Sequence, residues 1–280
     1  MSLSEAAKRA LDRNALRPVL EWTVNRLAKW KGNNLTRISY EDGIWLHRTS
    51  DGWFAYNEPY VCLDLRKLDD YARFLFFWGY RASEGHTIID VGAGVGEEAL
   101  TFSRAVGASG KVVCLEAHPR TYLCLHKLVE YNHLDNVVAI HAAVAGPGCG
   151  AVNIEDSRRY LRNRMGAASG FSVPATTVDT IRQQLNLERI QFLKMNIEGA
   201  ERLAIQGMSK TLQRTEVVCI CCHDFLAENR GDSRLKTRAE VQQFLQDHGL
   251  SVLERNGDCL PPYVRYQLWG YNEQAMRAAG

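Results

Sequence analysis

The sequence predicts an α/β fold: a doubly wound, mostly parallel sheet preceded by an N-terminal appendage of a helix and β-hairpins. Three observations carry this reading. From residue 86 onward, apolar runs of strand length alternate with amphipathic segments, the pattern of a sheet covered by helices on both faces. The run TIIDV leads into the glycine-rich turn GAGVG and then into a helical segment. Before residue 60 the pattern differs, with one helical stretch followed by short β-prone runs split by Asp-Gly pairs. The expected division is an appendage over 1–60 and a main domain over 61–280.

Residues 4–31 place Leu16, Leu20, Val24, Leu27 and Trp30 at helical spacing, with Pro18 breaking or restarting the helix. Its many basic residues invite a membrane-surface role. Packing of its apolar stripe on the body, or on a second copy in a homo-oligomer, is the preferred reading. Asp42-Gly43 and Asp51-Gly52 are strong hairpin signals, so a β-meander is expected from Leu35 to Tyr56. Asp64 to Tyr80 reads as a helix.

Beyond it, HTIIDV, KVVCLEA, NVVAIHAAV, AVNIED, IQFLKMN, EVVCICCHD, LSVLER and YQLWGYN read as strands. Helices are expected at GEEALTFSRAV, PRTYLCLHKLVEYN, TVDTIRQQL, AERLAIQGM and TRAEVQQFLQDHG. The last two strands have no helix between them, which suits a hairpin on the sheet edge.

Composition excludes several classes. With 46% hydrophobic and 24% charged residues and a net charge of +2, the chain is ordinarily globular. It lacks the basic field that nucleic-acid binding requires. The opening residues show no apolar core of a secretory leader, and no apolar run approaches the roughly 18 residues of a membrane span. Several of the eight cysteines fall inside apolar runs (Cys114, Cys219, Cys221), where they behave as small hydrophobes, so reduced thiols and a cytoplasmic location are expected.

The glycine turn is where chemistry is expected. A strand, a glycine-rich turn and a helix bring backbone N–H groups to a ligand. The dinucleotide fingerprint is GxGxxG, whereas here the spacing is GxGxG and Glu97 and Glu98 open the helix. Two carboxylates there would repel a pyrophosphate but are tolerable for a ligand without phosphates, such as S-adenosyl-L-methionine. Asp90, Gly92, Ala93, Gly94 and Gly96 would then hold the methionine end. Glu116, with Ala117 at the end of the next strand, would grip the ribose hydroxyls.

A second loaded segment is LKMNIEGAE, residues 193–201. Asn196, Glu198 and Glu201 fall at the carboxyl edge of the sheet, where ligands bind in this architecture. Glu198 is the one expected to face the site. Glu201 reads as a charge at a helix N-terminus.

DVGAGVG, LEAHP, the TTVDTI segment and LKMNIEGAE, in this order and spacing, resemble the FkbM family of S-adenosylmethionine-dependent methyltransferases over roughly residues 86–225. The resemblance implies a class I methyltransferase, Rossmann-like fold with a seven-stranded sheet whose last strand is antiparallel. It also implies methyl transfer, usually to a hydroxyl oxygen. One departure is Asn196, where family members usually carry Asp. Asparagine can hold the methionine end but cannot serve as a general base or a strong hard-metal ligand.

Transfer to a hydroxyl needs in-line approach and removal of a proton. His223, at the end of EVVCICC, is the leading base, with Glu198 beside it. Asp224 reads as a loop or cap residue. A divalent metal on Glu198 and His223 is the lesser alternative. His118 is expected near adenine and His141 within a strand. Residues 155–177, with Arg158, Arg159, Arg162 and Arg164, read as a specificity lid or a solvated charge run, and Trp53, Tyr56 or Tyr60 as acceptor contacts. The acceptor is expected to be a small molecule or sugar. The rivals are a catalytically silent S-adenosylmethionine-binding module, a nicotinamide-dependent oxidoreductase and a membrane-surface scaffold.

Overall fold

The structure, a computed structural model, describes residues 16–31, 35–60, 65–156, 170–231, 233–255, 257 and 260–277. Helix α1 (Arg17–Lys31) buries Leu20, Val24 and Ala28 against Ile38 and Trp45. These are every fourth residue, so the stripe is rotated from the expected one: Leu16 and Trp30 are exposed and Leu27 is half-buried. Pro18 lies in the first turn, where its missing N–H leaves no bond unmade. The earlier part of the expected helix, residues 4–15, lies outside the described residues.

Strands β1 (Leu35–Glu41), β2 (Ile44–Thr49) and β3 (Gly52–Tyr56) form the antiparallel meander. At the first turn Asp42 and Gly43 both have positive φ, 52° and 87°, as a two-residue hairpin requires. Alternation along β2 gives the meander two dry faces. Trp45 packs in the cluster with α1, while Ile44 and Leu46 share a core with Val95, Leu100, Cys124 and Leu128. The meander is thereby joined to these later parts of the chain through buried apolar contacts.

Helix α2 (Leu65–Phe76) leads to β4 (Thr87–Val91), α3 (Glu97–Val106), β5 (Lys111–Glu116), α4 (Pro119–Tyr131) and β6 (Val137–His141). Next come β7 (Ala143–Val144), β8 (Ala151–Ile154), β9 (Phe171–Thr176), α5 (Val178–Gln184), β10 (Ile190–Met195) and the short α6 (Glu201–Ala204). The chain closes with α7 (Ser209–Leu212), β11 (Thr215–Cys221), α8 (Asp224–Arg230), α9 (Arg238–Asp247), β12 (Ser251–Glu254), α10 (Pro262–Arg265), β13 (Gln267–Tyr271) and α11 (Glu273–Arg277).

The main sheet has seven strands in the order β12-β13-β11-β10-β4-β5-β6, and β13 is antiparallel to both its neighbours. This is the seven-stranded, mostly parallel arrangement that the resemblance implies. Buried apolar side chains cover both faces. One face gathers Leu193, Met195 and Val241; the other gathers Phe102, Phe192 and Trp269.

Three details differ from expectation. The last two strands do pair, but β12 alone is the edge and β13 inserts between it and β11, with α10 preceding β13. NVVAIHAAV divides into β6 and β7, and β7 leaves the main sheet to join β8 and β9 in a small second sheet. Residues 171–176 are β9 rather than part of a lid, because two strands flank them and pair with them; residues 157–169, with the four arginines, lie outside the described residues. No helix among the described residues is long and apolar enough to cross a membrane.

Candidate active site

The sheet order sets β4 between β10 and β5, so the chain reverses its winding at the carboxyl end of β4, where open α/β sheets bind ligands. A cleft lies there. Gly92 and Gly94 line it after β4, Glu116, Ala117 and His118 after β5, and Asn196 and Glu198 after β10. Residues 142–144 and Ile154 close its far side.

Gly92 is required by its neighbours. Its φ is 79°, and a Cβ there would sit 2.1 Å from the Asn196 carbonyl oxygen. The Asn196 N–H in turn donates to Val91 at 2.9 Å. The turn after β4 and the end of β10 are therefore locked together at the floor of the cleft.

Glu116 is held from two sides. The Gly94 N–H donates to Oε2 at 3.0 Å and the His118 N–H to Oε1 at 2.9 Å. Burial pushes its carboxyl up to about 7, against the pull of those two N–H groups. His118 stands beside it, its ring edge on Phe171 at 5.4 Å and its Nε2 3.5 Å from Asp156. Burial holds this imidazole below its usual range, with Asp156 opposing. His141 is a strand residue stacked on Tyr122, as expected.

Asp90 is elsewhere. It is fully buried and does not line the cleft. Its Oδ1 is 2.7 Å from the Lys194 Nζ, which also donates to the Gly92 carbonyl at 2.8 Å. Burial opposes the lysine's charge, but Asp90 and Glu98 hold it protonated above the ordinary lysine range. Ala93 packs in the core, and Gly96 precedes the first turn of α3. These residues shape the turn from behind.

The two acids opening α3 also face away from the cleft. Glu97 accepts from the Tyr56 hydroxyl at 2.6 Å and is pushed up to about 7 by burial and by Glu98. Tyr56 thus ties the meander to α3, while Trp53 bonds through its backbone to Asn132. Neither of them, nor Tyr60, lines the cleft.

At the cleft wall Glu198 adopts φ 54°, a left-handed conformation that costs a non-glycine residue about 1–3 kcal/mol. Its Oε1 is 3.4 Å from His223 Nε2. His223 is buried behind it, and its Nδ1 is 2.8 Å from Glu201 Oε1. Burial works against the imidazolium, but Glu201 and Glu198 outweigh it and hold the ring protonated well above its usual range. Asp224 accepts from the backbone N–H groups of Thr237 and Arg238 at 2.9 and 3.0 Å, the loop role expected of it.

The structure thus brings Gly92, Gly94, Glu116, Ala117, Asn196 and Glu198 to one cleft, sets His223 directly behind Glu198, and leaves Asp90, Ala93 and Gly96 outside its lining. The sequence reading missed Lys194, a lone charge inside an apolar run, which is a signal that it must have a buried partner. Glu201 does open a helix, as expected, but it is also fully buried, and only its spacing from Glu198 hinted at more. Among the described residues, no group of three or more His, Cys, Asp or Glu side chains is arranged to hold a metal ion.

The sequence matches the methyltransferase FkbM domain over residues 90–252. No curated protein sequence matches the chain. Among solved structures, it is similar to a SAM dependent methyltransferase from Aquifex aeolicus (18% identity, covering 74% of this chain and 95% of that one, TM-score 0.41). It is similar also to a methyltransferase FkbM from Methylobacillus flagellatus KT (14% identity, 75% of this chain and 51% of that one, TM-score 0.48). A third is the Aeropyrum pernix fibrillarin in complex with natively bound S-adenosyl-L-methionine (14% identity, 85% and 99%, TM-score 0.45). With more than half of its length matched to the family, the chain belongs to the FkbM family of methyltransferase domains.

Proposed function

We propose that this chain transfers a methyl group from S-adenosyl-L-methionine to a hydroxyl oxygen of a small-molecule or sugar acceptor. The observation that carries the reading is Glu116. Its carboxylate is fixed at the cleft wall by two backbone N–H groups, which orient it and leave lone pairs for two vicinal hydroxyls. His118, buried beside Glu116 in the cleft lining, fits a polar edge of adenine. The Asn196 side-chain amide, with the close backbone approach that Gly92 and Gly94 allow, suits an amino-acid end. When bound, the cofactor supplies an electrophilic methyl group whose carbon–sulfur bond breaks with its electron pair left on sulfur.

This chain's own residues would hold the two reactants in line and remove the acceptor's proton. Glu198, on the cleft wall next to Asn196 and backed by His223, supports that reading. A second reading, a cofactor-binding module without turnover, is favoured by Asn196 in place of the usual acid. Glu198 answers it, because a carboxylate is still present at the cleft.

Calorimetric titration with S-adenosylhomocysteine and, separately, NAD tests the reading. The homocysteine product is expected to bind at micromolar level and NAD not to bind. Glu116→Ala is expected to weaken the former about 100-fold, equivalent to about 2.7 kcal/mol. Absence of S-adenosylhomocysteine binding by the wild type sinks the proposal.

A further inference from the structure

The sequence points to His223 as the base, yet both of its ring nitrogens face carboxylates of this chain. Nδ1 meets Glu201 at 2.8 Å and Nε2 meets Glu198 at 3.4 Å. A ring flanked by carboxylates on both sides donates at both nitrogens and has no lone pair to offer. Glu198 alone of the three lines the cleft.

Glu201 is itself built into place. Its Oε2 accepts from the Thr237 hydroxyl at 3.0 Å and its Oε1 from the Gly199 N–H at 3.1 Å. A fully buried carboxylate is costly unless paired and hydrogen-bonded, and here every partner orients it toward the imidazole. The left-handed backbone at Glu198, followed by Gly199 at φ 98°, turns the chain so that both carboxylates of the EGAE segment reach one ring. Strain, buried charge and convergent hydrogen bonds at one cleft wall mark a constraint that packing alone would not favour.

We infer that Glu201 is a positioning residue: it commits His223 as a fixed two-sided donor, and so leaves the carboxylate of Glu198 as the group that touches the acceptor and receives its proton. This rests on the methyltransferase reading above. As the acceptor oxygen forms its bond to the methyl carbon, its O–H bond breaks and the proton passes to a Glu198 oxygen. His223 keeps both of its protons throughout. Among the described residues, the other titratable groups beside the ring are Cys221 at the end of β11, Cys222, whose thiol burial pushes up, and Asp224, whose Oδ1 is occupied by two backbone N–H groups.

The test reads the imidazole directly and needs no acceptor. Nitrogen shifts of His223 in histidine-labelled protein would be followed from pH 5 to 10, in the wild type, Glu201→Gln and Glu201→Asp. The expected wild-type midpoint lies above the ordinary value of about 6.5. Glu201→Gln should lower it by one pH unit or more, and Glu201→Asp should restore most of that shift, which a purely structural role for Glu201 would not do. A wild-type midpoint at or below the ordinary value overturns the inference even if Glu201→Gln does not fold. So does a Glu201→Gln midpoint within about 0.3 units of wild type. S-adenosylhomocysteine binding by the wild type is measured alongside. Binding with an insensitive His223 defeats the positioning role alone, whereas no binding defeats the cofactor reading.

Discussion

Two buried ion clusters sit at the carboxyl ends of neighbouring strands, and they differ in how they meet the cleft. Asp90 and Lys194 are sealed, at 0% and 1% side-chain exposure, in register on β4 and β10. Around His223, Glu201 is equally dry, but Glu198 keeps 22% of its side chain exposed and lines the cleft. In the first cluster Asp90 pairs directly with Lys194, Glu98 adds its field, and the lysine ends in a bond to the Gly92 carbonyl. In the second, two acids meet one ring. Buried charge with no outlet fixes a loop. Buried charge with one open face is suited to exchanging a proton.

If the sealed pair is structural, breaking it should be the most damaging of these changes. Lys194→Met leaves Asp90 buried without a partner, and chemical denaturation should show a loss of about 3–5 kcal/mol. Adding Asp90→Asn should recover much of it. Failure of the double variant to recover would place the value of Lys194 in its contact with Gly92 instead.

The junction between the two clusters comes next. Gly92→Ala meets the Asn196 carbonyl at 2.1 Å and φ 79°. A loss of about 1–3 kcal/mol is expected, together with weaker S-adenosylhomocysteine binding, since the loop and the end of β10 must part. Unchanged stability would show that the two chains give way easily.

A smaller effect concerns Glu97, a buried acid belonging to neither cluster. Between its ordinary value of 4.5 and about 7 the folded protein keeps a proton that the unfolded chain has released. The folded state binds more protons there, so stability falls as pH rises through that window. Glu116 acts in the same sense. Thermal unfolding from pH 5 to 8 should show the decline, and Glu97→Gln should flatten it by about 1–2 kcal/mol. An identical slope in the variant would remove Glu97 from the account.

The smallest expected effect is the control. Arg277 and Glu273 form an exposed pair at 3.1 Å, and Arg277→Ala should change stability by no more than about 0.5 kcal/mol. A larger loss would mean that charge pairing alone, without burial, accounts for the Lys194 result.

Much of the fold was legible because it is written in local pattern. Strand-length apolar runs, Asp-Gly turns and the glycine turn each depend on residues a few positions apart. β9 was one exception. FSVPAT contains Pro174, which argues against a strand by itself, and the run is recruited by pairing with Ala151–Ile154 across the intervening chain. At the site, Glu116 and Glu198 reached the cleft as their strand-end positions implied. Asp90 occupies an equivalent strand end and did not.

By itself, the sequence determined the strand and helix alternation, the glycine turn after β4 and the acids at the ends of β4, β5 and β10. Only the tertiary structure decided which of those acids meets the cleft. Asp90 is claimed by Lys194 on the neighbouring strand β10, and Glu201 by His223 and Thr237 from other elements. A carboxylate's role follows from its burial and its partners. Those are set by residues distant along the chain, which no local pattern records.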